Sequence, residues 1–550
     1  MEVMTQASPP VLAGITPYTG TFGKEQLIQL LKRTLMGVSK ADVDFFTGKT
    51  LSQVVDLMLT QVADPTTTPL KTYNDTSDGL ATGETWVYLP DTGGVSNARR
   101  GTLRTWFMGQ LLNSDRTLQA KMFLFWSNHF ATELQVSSPT RTYEYWLMMY
   151  RNTMGNFKNM VRDVTFAPQM LAYLNGDQNT KSAPDENYGR ELMELFTLGK
   201  EPNSKYTEDD VKAAAKLLTG WRSRRVLNAT TNKYEWLTYF VSNDHDTGTK
   251  QFSSFFSNKI ITGNTAQNTE ANARKEIDSL LDMIFEQREV AMFMCRKLYR
   301  YFVYYKIDAT IEASMITPMA DLLIQNNWNI KPVLKALLTS DFFFTMPAKA
   351  CIIKSPLEYV VGYAREFKLG IPAITTTNFI NVYNAWSYLT YENGAGEQGQ
   401  LIGDPPNVAG WAAYYQEPVY NRSWINTDTF PKRLRFVDTF LTNTGISIGG
   451  GQTVKVDVLG FTDQFGTDAA DPNKLIDAVL QLLYRVPVSA TFRNYLKTTI
   501  LLGGQTSDYY WADAWNAYKT TPNATNTNVV LTRLQKFYKF IVDNPEYQLS

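Results

Sequence analysis

DQNTKSAPDENYGRELMELFTLG, residues Asp177 to Gly199, reads as a polar loop running into one densely charged helix. At about 100° per residue Tyr188, Leu192, Leu195 and Phe196 share a face, which is therefore expected to pack inward. Asn187, Glu191 and Glu194 form a stripe along the flank, and Glu186 stands one turn before Arg190, within reach of its guanidinium. Ser182 with Asp185 makes an acidic variant of the capping box and Pro184 suits a first turn. Gly199 suits the left-handed residue that closes a helix.

The same periodicity extends in both directions. Leu27, Leu30, Leu31 and Leu35 recur at three and four residues, and the pattern is nearly unbroken from Ala98 to Trp221. It returns over 271–286, 289–303, 311–324, 330–339 and 357–367. Between Asp64 and Ser96, residues rich in Thr, Gly, Pro and Asp predict a long surface excursion. Tyr234 to Val241 is β-prone, and Arg222, Arg224 and Arg225 just before it are expected in a solvated turn. The fold class is all-α: a large multi-helical orthogonal bundle with a small β excursion and a C-terminal helical lobe. The expected division is an N-terminal extension (1–21), a main helical domain (22–444), a Gly-rich linker (445–472) and the lobe (473–550).

The 550 residues carry 53 basic and 53 acidic side chains, so no global field favours nucleic acid or an anionic membrane. Two cysteines, Cys295 and Cys351, make neither a disulfide framework nor a C-x-x-C metal clip. Met1 to Gly20 lacks the basic start and apolar run of a secretory signal, and no later run spans a bilayer, so a soluble cytoplasmic protein is expected.

Only two histidines are present, each beside polar company: His129 in Trp126-Ser127-Asn128-His129-Phe130, and His245 next to Asp246. Should both converge on the flank of the opening helix, Glu191 and Glu194 would complete a donor set for a divalent metal ion, with Asp177 and Asn179 adding oxygen ligands. No E-x-x-H or H-E-x-x-H spacing is present. Without a metal, a buried glutamate beside Arg190 can serve as acid or base, while Glu186, Arg190 and Glu194 can equally be a structural ion-pair ladder. The candidate catalytic residues are Glu191, Glu194, Arg190, Glu186 and Asp246. The candidate metal ligands are His129, His245, Asp177 and Asn179.

Phe125 to Phe130, Gly155-Asn156-Phe157, Asp185 to Gly199, Tyr206 to Val211 and Leu218 to Trp221 together resemble the bacterial family called domain of unknown function 1800. His245-Asp246, Lys297-Leu298-Tyr299, Lys354 to Glu358, Pro405 to Val408 with Gly410-Trp411, and Trp424-Ile425-Asn426 extend the likeness. The resemblance implies a large, mainly helical protein with no established activity. It also implies relatives that are often exported to the periplasm or cell surface and encoded beside a sulfatase-like or phosphatase-like partner. Ser127 stands where that family's pattern has its first histidine, which weakens a metal site relying on that imidazole. Two functions are then expected: an enzyme with a His/carboxylate site in a helical cleft, or a non-catalytic binding or assembly protein meeting a partner or glycan through loops such as Pro405 to Trp411.

Overall fold

The periodic apolar stretches fold as helices in the computed structural model, which describes residues 15–200, 203–345, 349–391, 394–442 and 444–550. The readings made for residues 1–14 lie outside the described residues. The protein is mostly helical, and among the described residues the strands form three two-stranded antiparallel sheets. One hydrophobic cluster runs from Leu27 to Tyr547 and draws on nearly every helix. No helix among the described residues is long and apolar enough to cross a membrane.

Helix α1 (Gln119–His129) is buried on nearly all sides, as a helix with Met122, Phe123, Phe125 and Trp126 distributed round its circumference must be. The charged helix of the opening stretch is shorter than its caps suggest: α2 spans Asn187–Glu191 and continues as a wider π turn over Leu192–Thr197. The Ser182–Asp185 capping box does not form. Asp185 instead donates its backbone N–H to Asn179 Oδ1 and accepts the Asn187 N–H, while Ser182 Oγ pairs with Thr180 Oγ1. The π turn widens the register, so Met193 is buried and Leu195 only half-buried. Gly199, at φ 80°, ends the helix as expected.

The arginines placed in a turn lie in a strand. β1 (Trp221–Asn228) pairs with β2 (Lys233–Phe240), Trp221 opposite Phe240 and Asn228 opposite Lys233. Arg225 donates to the carbonyls of Leu89 and Val87 and Arg222 pairs with Asp244, so the cluster is bonded into the body of the protein. Likewise the Asp64–Ser96 excursion is pinned from below by Asp78, which is buried between Lys71 and Arg99.

Two further helices complete the frame, α3 (Arg288–Phe302) and α4 (Pro356–Glu366), the latter capped by Ser355 and Glu358 in a reciprocal box. Over them lies a strap, residues 409–424, whose Trp411, Ala413 and Trp424 form a small cluster of their own. Asn128 Oδ1 accepts the Trp411 N–H at 2.8 Å. Gly410, at φ 84°, permits this contact, because a Cβ there would lie 2.8 Å from the Asn128 carbonyl oxygen. Within the expected linker, Ile446–Gly449 and Gln452–Val454 pair as a hairpin held to the body by Asn384 and Asn381. The chain end returns to α4: Lys354 donates its backbone N–H to Gln548, and the Tyr547 hydroxyl donates to Glu366.

Candidate functional site

His129 closes α1 and is only 3% exposed. Its imidazole sits among Phe125, Trp126, Phe130, Phe157, Phe196 and Phe293, with ring centroids 4.5 to 6.4 Å away. Nε2 lies 3.0 Å from the carbonyl of Phe196, in the last turn of the π segment. A carbonyl only accepts, so Nε2 carries the proton and Nδ1 presents its lone pair. That lone pair faces Lys297 Nζ at 2.9 Å. Burial first, and then the neighbouring lysine, hold the imidazole well below its ordinary pKa, keeping it neutral.

Lys297 is held by α3. It stands seven residues after the buried Val290 and so lies almost on the same line of the helix, beside the buried Met294 and Leu298. Burial, reinforced by the charge of Arg300, brings its amine down from 10.5 to about 7. Among the described residues its one hydrogen-bond partner is His129 and no carboxylate pairs with it. Near neutral pH roughly half of the molecules therefore carry an uncharged amine here.

Both groups open onto one cleft, walled by Phe125, Tyr301, Tyr305, Tyr414, Tyr420 and Trp424 and floored by Ile352 and Ile353. Glu358 also lines it, but one carboxylate oxygen is taken by Lys121 and the other accepts the Ser355 N–H. Four of the stretches carrying the family resemblance meet here: Phe125 to Phe130, Lys297 to Tyr299, Lys354 to Glu358, and Trp424 to Asn426. A cleft of aromatic walls with a few convergent polar groups, one of perturbed basicity, is the usual form of a small-molecule site.

The histidines and oxygen ligands expected to form a metal centre have separate partners, while Glu191 does lie in the fields of Arg190 and Glu194. His245 is buried elsewhere, its Nδ1 2.8 Å from the Thr219 carbonyl and its Nε2 3.5 Å from Glu276, which also pairs with Lys250. Among the described residues neither histidine bonds to Glu191 or Glu194, and no three His, Cys, Asp or Glu side chains gather as a group able to hold a metal ion. Glu194 pairs with Lys200 and Arg190 bridges Glu186 and Glu208, a partly exposed ladder of small energetic weight. Glu191 is raised in pKa by burial and then by Glu194, and its Oε2 is buried without a hydrogen bond. Asp177 accepts a long 3.5 Å contact from the Gln178 amide and adds a favourable field at Arg141. Asn179 uses its side chain to tie Ala215 to Asp185, and Asp246 accepts the N–H of Gly248. Ser127 lines a separate small cavity bordered by Trp411 and is not among the residues lining the His129 cleft.

Sequence reasoning missed Lys297, Arg300 and the aromatic strap. A lysine at the margin of an apolar helical face ordinarily extends to water, and nothing local marks this one as enclosed. The available signal was the quoted Lys297-Leu298-Tyr299 itself, lying within an apolar helix. A family model described as protein of unknown function (DUF1800) matches residues 29–549. No curated protein and no solved structure matches the chain.

Proposed function

The chain belongs to the DUF1800 family of proteins of unknown function, and because that description names no activity we propose a function from the cleft: an enzyme whose Lys297 amine attacks the carbonyl carbon of a small planar substrate. The observation that supports it is the Lys297–His129 pair, an amine that titrates at about 7 held against a neutral imidazole. The Nζ lone pair forms the new C–N bond while the carbonyl π pair moves onto oxygen. Nζ then loses two protons, His129 Nδ1 being the acceptor in reach, and the carbonyl oxygen leaves with them as water. An imine remains, and no oxidant or reductant is consumed. The aromatic walls exclude bulk water and so favour the condensed form.

Trapping tests the step. Benzaldehyde with cyanoborohydride at pH 7 is expected to place a benzyl group on Lys297 at least about tenfold faster than on any surface lysine, whose amines are almost wholly charged there. A label spread over surface lysines with Lys297 unmodified would refute it.

A second reading, a non-catalytic binding or assembly protein, is favoured by Tyr415 and Val419, which remain 38% and 42% exposed on the strap. In that case Lys297→Met would keep full affinity for a glycan or for the sulfatase-like or phosphatase-like partner that the resemblance implies. An enzyme's cleft would lose its covalent capture.

A further inference from the structure

Resting on the amine reading, we infer that the substrate carries, besides its carbonyl, a carboxylate or like oxyanion set off from it by about the span of one helical turn, and that Arg300 is the residue that holds it. Arg300 follows Lys297 by three residues on α3, which places their Cβ atoms about 5–6 Å apart on adjoining lines of the helix. Both line the cleft.

A census of the lining groups shows what is in short supply. Arg300 spends Nε on the Tyr305 carbonyl at 3.3 Å, and Nη2 makes a long 3.5 Å contact to Glu417, a carboxylate 72% exposed. Its Nη1 has no partner among the described residues. Lys297 donates only toward His129, and Asn128, whose Oδ1 is occupied by Trp411, has no partner for its Nδ2 among the described residues. Against these donors the one lining carboxylate, Glu358, is already neutralised by Lys121. The lining of the cleft therefore offers cationic donors and, among the described residues, no carboxylate free to meet them. An apolar carbonyl compound would leave these groups unmatched, which is costly in a partly dehydrated site.

An oxyanion removes the mismatch. A guanidinium is planar and weakly hydrated and meets a carboxylate through two parallel N–H bonds, so Arg300 fits this role better than a second lysine would. The Tyr420 ring, 5.2 Å from the Arg300 guanidinium carbon, braces that plane from the strap. With the anion fixed on Arg300, the carbonyl of the same molecule falls toward Lys297 one helical turn away. The anion also offsets the positive field that Arg300 exerts on the amine.

The test compares benzaldehyde with 4-carboxybenzaldehyde, which share ring and carbonyl, in cyanoborohydride trapping on the full-length protein at pH 7 and low salt. Wild type is expected to capture the carboxylated aldehyde on Lys297 about tenfold faster, the worth of one charge-assisted contact. Arg300→Gln is expected to reduce that ratio of the two capture rates to near unity, a ratio in which any change in the Lys297 amine itself cancels, and Arg300→Lys to restore part of it. Unaltered thermal unfolding of each variant confirms that the frame is intact. Equal capture of both aldehydes by wild type, or an advantage that survives Arg300→Gln, would overturn the assignment. Failure of either aldehyde to reach Lys297 would instead remove the amine reading on which it rests.

Discussion

Lys297→Met is expected to change the pH dependence of stability more than any other single substitution in the cleft. The amine titrates at about 7 in the folded protein and near 10.5 when unperturbed, so between those values the unfolded chain binds the proton more tightly. Stability due to this group therefore rises with pH over that interval, and the charged unfolded amine penalises folding most below pH 7. Methionine fills a similar volume without a titrating group. The variant should exceed wild type in unfolding free energy by about 4 kcal/mol more at pH 6 than at pH 10, a difference from which the pH-independent cost of the vacated His129 lone pair cancels. Denaturant midpoints of both proteins across that range provide the measurement. Parallel curves would mean that Lys297 keeps an ordinary amine. The same variant should lose aldehyde capture altogether.

Glu366→Ala should be the most destabilising substitution at the back of α4. Glu366 is 1% exposed, paired with the equally buried Lys32 and hydrogen-bonded by the Tyr547 hydroxyl at 2.9 Å. Burial pushes its carboxyl up, but Lys32 and Lys354 outweigh that and hold it below the usual carboxylate range. Removing the carboxylate leaves Lys32 without a counter-charge and frees the Tyr547 anchor of the chain end, a loss of about 3–5 kcal/mol. Lys32→Met combined with Glu366→Met should recover most of it, since a buried ion pair exchanged for apolar groups of similar volume is often neutral. Urea unfolding reads both values. A loss below about 1 kcal/mol for Glu366→Ala would show the cluster to be hydrated.

The helices were legible because their signal is local. The three-and-four spacing of Leu27 to Leu35 acts within one or two turns, and that helix stands in the structure. The start of α2 misled because Asn179, six residues upstream, captures the Asp185 N–H that a capping box needs. Arg222 to Arg225 read as a turn because charge suggests solvent, whereas the carbonyls of Val87 and Leu89 lie far off in sequence.

The site was legible only by half. His129 stood out by scarcity, but its partners were sought on the flank of the charged helix, at Glu191 and Glu194. The structure supplies instead a lysine 168 residues away and walls drawn from a strap near the other end of the chain. Aromatic spacing could not indicate this, since the strap is built of short turns such as Tyr420–Trp424 rather than a sustained helical period. The π turn after α2 is a further case: its Phe196 carbonyl fixes the His129 tautomer, yet the sequence there reads as plain α-helix.

The most direct measurement is the pH dependence of Lys297 acylation by a small amine reagent in trace amount, read by mass spectrometry of the peptide that contains it. Lys354 also titrates near 7, but it is buried away from this cleft and serves as an internal control for access. Lys297 is expected to reach half-maximal reactivity near pH 7 and to be the most reactive accessible lysine at that pH. Reactivity that climbs through pH 10 in step with the surface lysines would contradict it.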